Sequence, residues 1–338
     1  MSKTAKCCAI FFITTLWLVI WRMVFSVVNL SDNVSDWLFS IIIQIFGLGI
    51  IPLLLFKFWV KEDILTGFSI KVKIPKIIWV LAVVLGFLLS YLTRGVSLVW
   101  QNMLILLGYT HVKSVGTIYS DAGVLVMDLF TTAMLPAIFE EVTDRGLVIR
   151  MFRDVKDDKV TMVLVATMFG LVHQNIVQTG YTFVGGLIFA FLAIKTRSIL
   201  PGMIIHCINN GLSVLSSYSD QHNGFIATIG DWINDFISKH MILAIISWIA
   251  VAVAIVAILK YVSKLTEKEE TEKKENEEVF FYTDRMNYVD DLFGIPKNNA
   301  EIKPTNTGVA WYEYAFLYGA VVMTALTTIF TFMWGVWR

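Results

Sequence analysis

The 338-residue chain carries 27 Lys and Arg against 27 Asp and Glu, with 57% hydrophobic and only 16% charged residues. A soluble domain is about 25% charged, so a water-soluble globule is excluded. Zero net charge and the absence of a basic block interleaved with aromatics exclude a nucleic-acid binder.

Lys3 and Lys6 precede an apolar run from about Ala9 to Leu30. It is too long for a signal peptide and lacks a small-residue cleavage site, so it reads as a retained first spanning helix. Further apolar stretches fall at 37–60, 77–100, 122–140, 160–179, 181–194, 199–217, 241–261 and 312–336. Most approach the roughly 20 residues that cross hydrocarbon. The short 181–194 stretch reads as the continuation of a broken or tilted helix, loosened by Gly180, Gly185 and Gly186. The fold class is all-α: a polytopic membrane helix bundle of about eight or nine transmembrane helices.

Residues 1–121 supply N-terminal transmembrane helices, 122–217 a core, and 218–261 a further transmembrane helix. Residues 262–310 open with alternating charges and read as a cytoplasmic linker, and 311–338 form a helix appended to the core. Lysine and arginine recur on alternate connections (Lys3 and Lys6; Lys57, Lys61 and Lys71 to Lys76; Arg150 to Lys159; Lys195 and Arg197; Lys260 and Lys264), which places them and the N-terminus in the cytoplasm. Cys7, Cys8 and Cys207 form no disulfide framework; they read as packing residues or, at the membrane edge, Cys7 and Cys8 as acylation sites. Arg22 and Arg94 interrupt apolar runs and call for snorkelling or an acidic partner.

Ionisable side chains inside spanning helices are costly and mark function, and they concentrate between residues 140 and 210. Glu141 and Arg145, four apart, share a helix face in the favourable order for an ion pair. Glu140 is turned about 100° from Glu141, free to face another partner, with Asp144 four residues after it. His173 follows Phe169 in an apolar helix, and His206 and Asn210, four apart, project from one face of another. Each piece alone fits a bland account: a hydrated helix end, a hydrogen-bonded core histidine, polar glue between helices. Together they fit acyl-transfer hydrolysis: a carboxylate and a histidine hold and deprotonate water, and a His-Asn pair donates to the oxyanion. Alternatively, Glu140, His173 and His206 are three candidate zinc (Zn2+) ligands that leave a fourth position for water. No H-E-x-x-H segment accompanies them.

The segments Glu140-Glu141-x-x-x-Arg145, Phe169-x-x-x-His173 and His206-x-x-x-Asn210 resemble, in order and spacing, the CPBP family of intramembrane metalloproteases (CAAX prenyl protease and bacteriocin-processing, Abi-type). The resemblance covers about residues 122–217. It implies an intramembrane endopeptidase in which Glu140 and His173 activate water, His206 and Asn210 form the oxyanion hole, and Glu141 and Arg145 support them. Substrates would be membrane-associated or C-terminal peptides, the other partner membrane lipid, and the location a bacterial cell membrane. Asp144 departs from the aromatic or apolar residue usual in the family before the arginine, and raises the alternative of a catalytically silent relative, a self-immunity or scaffold protein. A transporter would show inverted repeats of the polar helices, and none is visible in the sequence.

Overall fold

In hydrocarbon every backbone N–H and C=O must be satisfied within the chain, which turns long apolar runs into helices. The computed structural model describes residues 1–27, 33–70, 73–110, 116–152, 157–275 and 311–337, and among them there is no strand. Helix α1 spans Lys3–Val27. Helix α2 starts as Asn33–Ile41 and continues through π-helical Ile42–Ile50, α-helical Ile51–Leu55 and π-helical Phe56–Val60. Helix α3 is Lys76–Leu106. Helix α4, Ala122–Met151, is also mixed, with π-helical Leu129–Met134 and Val142–Leu147 on either side of α-helical Leu135–Glu141. Helices α5 (Asp158–Val172), α6 (Ile176–Thr196), α7 (Leu200–Gln221), α8 (Phe225–Lys239), α9 (Met241–Glu275) and α10 (Ala315–Trp337) complete the order.

Seven helices among the described residues are long and apolar enough to cross a membrane: α1, α2, α3, α4, α6, α9 and α10. The eight or nine expected from sequence are these seven with α5 and α7. Helix α5 has only 15 residues, and α7 is long enough but too polar, diluted by His206, Asn209 and Asn210. One histidine-bearing helix is thus too short and the other too polar to count as a span.

The helix break expected near Gly180 lies elsewhere. Helix α5 ends at His173, Gln174 takes a left-handed φ of 49°, and the Asn175 side chain caps α6, which runs unbroken through Gly180, Gly185 and Gly186. Glycine inside a helix that is packed along its length costs only about 1 kcal/mol, and here it admits neighbours. A Cβ on Gly180 would lie 2.6 Å from Trp100, and one on Gly186 3.0 Å from Ala166 Cα. Lys195 Nζ meets Asp158 Oδ2 at 2.7 Å, so α5 and α6 form an antiparallel hairpin.

The ends of the bundle are sorted by charge. Lys3 Nζ lies 2.8 Å from Glu62 Oε1, Arg150 pairs with the same carboxyl, Lys6 Nζ donates to the Trp59 carbonyl at 3.0 Å, and Ser2 bonds Glu313. Burial would push the Glu62 carboxyl up, but Arg150 and Lys3 hold it below the ordinary glutamate range. At the other end Asn33 Nδ2 donates to the Ile118 carbonyl at 2.7 Å, and Gln221 Nε2 to Thr117 at 2.7 Å.

Arg94 is exposed and donates to the Asn234 side chain at 2.8 Å, the snorkelling alternative rather than the acidic partner. Two further expectations change. Cys7 and Cys8 are buried in the core at 2% and 0% exposure, out of reach of acylation. Helix α10 is integral: Leu317 and Ala320 belong to the main core, and Thr331 Oγ1 accepts from Ile176 N at 3.0 Å. The charged segment is helical to Glu275, and residues 276–310 lie outside the described residues.

Candidate active site

Two prolines organise the site. A proline has no N–H for the carbonyl four residues before it, so that carbonyl is left for a side chain. Pro136 follows Thr132 by four, and the Thr132 carbonyl accepts Asn210 Nδ2 of α7 at 3.1 Å. Pro52 follows Leu48 by four, and the Leu48 carbonyl accepts Thr143 Oγ1 of α4 at 2.7 Å. Helices α7 and α2 are thereby pinned to α4 on either side of its carboxylates. The π-helical turns around residues 135–141 are a common feature of functional sites.

Glu140 and Glu141 face different partners, as their 100° offset requires. Glu141 is fully buried; its Oε1 lies 3.0 Å from Arg145 Nη1 and 3.1 Å from His206 Nδ1. The Arg145 guanidinium, itself fully buried, stacks 4.1 Å from the Phe169 ring centre and 4.9 Å from that of Phe189. Its contact with Glu141 is an ion pair outside hydrogen-bonding angles. The same two aromatics hold the imidazoles: His206 stacks on Phe189 at 5.3 Å, and His173 meets Phe169 edge-on at 4.8 Å.

Glu140 Oε1 accepts Gln44 Nε2 at 2.7 Å. Its Oε2 is buried without a hydrogen-bond partner, 3.9 Å from His173 Nε2 and 3.8 Å from His206 Nε2. His173 Nδ1 lies 2.7 Å from the Phe169 carbonyl. A carbonyl only accepts, so Nδ1 carries the proton and Nε2 of the neutral ring presents a lone pair toward Glu140. Asp144 is wholly buried, and neither of its oxygens is hydrogen-bonded.

Five of the six expected residues, Glu140, Glu141, Arg145, His173 and His206, thus meet around one carboxylate pair. Asn210 stands one turn beyond His206, its hydrogen bonds running to Thr132 and Asn209. Sequence reading missed Gln44, Phe189, Gly202 and the two proline-freed carbonyls. Gln44 was findable as a lone amide within the apolar 37–60 run. Gly202 was not: a Cβ there would come 2.9 Å from Glu141 Oε2, a purely tertiary constraint. Among the described residues no three His, Cys, Asp or Glu side chains form a group placed to hold a metal ion.

No curated protein and no solved structure matches the chain. The family model "type II CAAX prenyl endopeptidase Rce1-like" matches residues 122–212, the stretch from the start of α4 into α7 that holds both carboxylates and both histidines. The match supports the resemblance of that region to the CPBP family, the group of CAAX-type intramembrane proteases.

Proposed function

We propose that the protein is an intramembrane endopeptidase in which Glu140 and His173 activate water and His206 and Asn210 stabilise the oxyanion. The observation that carries the reading is Glu140 Oε2: buried, unpartnered, and within 3.9 Å of two imidazole nitrogens. A buried carboxylate oxygen left unmatched costs on the order of 1–3 kcal/mol, and a reacting water would relieve it.

Both Glu140 Oε2 and His173 Nε2 are acceptors, and their 3.9 Å separation lets one water donate to both at about 2.8 Å. Its lone pair then points at a substrate carbonyl. As the C–O bond forms, the water's proton passes to Glu140 or His173; collapse of the tetrahedral species breaks the C–N bond and the same proton leaves on the amine. His206 donates its Nδ1–H to Glu141 in a hydrogen bond, so Nε2 can donate to an oxyanion only from the doubly protonated ring. Asn210, with one amide proton on Thr132, retains a second for the same oxygen. Substrates by this reading are C-terminal or membrane-associated peptides that reach the bundle from the bilayer.

The test is cleavage of a quenched-fluorescence peptide library by the protein in detergent. Wild type should cut, and Glu140→Gln and His173→Ala should lose activity by 100-fold or more, on the scale of general acid–base catalysis at about 10²–10⁴. Loss of wild-type activity with a chelator, restored by zinc, would assign Glu140, His173 and His206 as metal ligands instead. Full activity in either variant would overturn the assignment, and a folded wild type inert to every peptide would favour a silent relative.

A further inference from the structure

We infer that Gln44, on α2 and outside the family-matched region, is the positioning residue that makes Glu140 a one-sided base. The inference rests on the reading of Glu140 as the water-activating carboxylate. Gln44 is 7% exposed, and its Nε2 donates to Glu140 Oε1 at 2.7 Å. An ionised carboxylate only accepts, so the amide must turn its nitrogen toward it, and Gln44 Oε1 is left buried without a partner. That orientation costs a hydrogen bond on one side of the amide, so the bond to Glu140 is what holds it.

The consequence is geometric. With Oε1 engaged by the amide, Oε2 is the carboxylate oxygen left without a partner, and it is the one set between the imidazoles of His173 and His206. Without the amide the carboxyl would be free to rotate and alternate its oxygens. The backbone under Gln44 is fixed by the same seam. The Leu48 carbonyl accepts from Thr143, and Gly49 lies so close to Phe139 that a Cβ there would be 2.7 Å from its ring. Gln44 lies within the π-helical turn pressed against α4 from that side. An N-terminal helix therefore completes a site whose reacting groups all lie in the family region.

Two substitutions separate positioning from packing. Gln44→Met keeps volume and flexibility but has no donor; Gln44→His packs worse but keeps an N–H of similar reach. In the full-length protein in detergent, Gln44→Met should lower kcat by about 10- to 100-fold, the kinetic size of one charge-assisted hydrogen bond, with KM within twofold. Gln44→His should retain more kcat than Gln44→Met. Equal kcat for wild type and Gln44→Met, or Gln44→His below Gln44→Met, would overturn the inference. Independently of any substrate, the infrared carboxylate band isolated by subtracting Glu140→Gln should move in Gln44→Met to the position of a carboxylate with one fewer hydrogen bond; an unmoved band overturns the inference too. Inactive Glu140→Gln with wild-type Gln44→Met would sink this inference alone, whereas active Glu140→Gln would sink the reading beneath it.

Discussion

At the scale of single residues, the site separates two adjacent glutamates into two jobs. Glu140 leaves an oxygen open between two histidines, while Glu141, fully buried, pairs through Oε1 with Arg145 and His206 and keeps its Oε2 packed against Gly202 without a hydrogen-bond partner. Removing one partner of a fully buried pair leaves the other charge uncompensated, at about 3–5 kcal/mol. Glu141→Gln should therefore unfold at lower denaturant and lose activity together, because Arg145 is stranded and His206 loses its Nδ1 acceptor. Glu140→Gln should lose activity with little change in the unfolding midpoint, and denaturant titration of the two variants checks the contrast. The split was partly legible in sequence: the i,i+4 spacing of Glu141 and Arg145 gave the ion pair. The spacing could not give Phe169 and Phe189 as the walls of the guanidinium, since ring stacking between helices has no sequence period.

At the scale of elements, the α5–α6 hairpin sets the position of His173. Gly186 faces Ala166 and Phe169, with a Cβ predicted to fall 3.0 Å from Ala166 Cα and 3.2 Å from the Phe169 ring. Gly186→Ala should push α5 outward at an overpacking cost of about 1–3 kcal/mol and move Phe169, which touches Arg145 and both imidazoles. The measurement is a paired loss of thermal midpoint and kcat; a variant as stable and active as wild type would show that the hairpin has slack. The misplaced helix break teaches the same physics. Glycines suggested looseness, but in a packed membrane helix a small residue more often marks close approach. The actual break uses a left-handed Gln174 followed by an Asn175 cap.

At the scale of the whole molecule, Glu62 ties the N-terminus through Lys3 to the end of α4 through Arg150. Its carboxyl is held below the ordinary value, about 4.3 for glutamate, although burial opposes the shift. A group depressed in the folded state stabilises at pH above its unfolded value and loses that contribution as pH falls through its folded value. The wild-type thermal midpoint should fall from roughly pH 4.3 downward more steeply than that of Glu62→Gln, which should already start lower at pH 7. Parallel curves would show that the bridge contributes nothing.

The sequence by itself determined the membrane, the helical class, the alternation of basic connections and five of the residues that meet at the site. Those follow from composition and from spacing along single helices, because unbroken apolar runs of about 20 residues satisfy their backbone in lipid as helices. Only the tertiary structure decided that Gln44 reaches Glu140, that prolines free carbonyls for Asn210 and Thr143, that α10 joins the core, and where α5 breaks. Each depends on which helices lie side by side. A chain with hydrophobic residues around nearly every helix has no polar face to announce its neighbours.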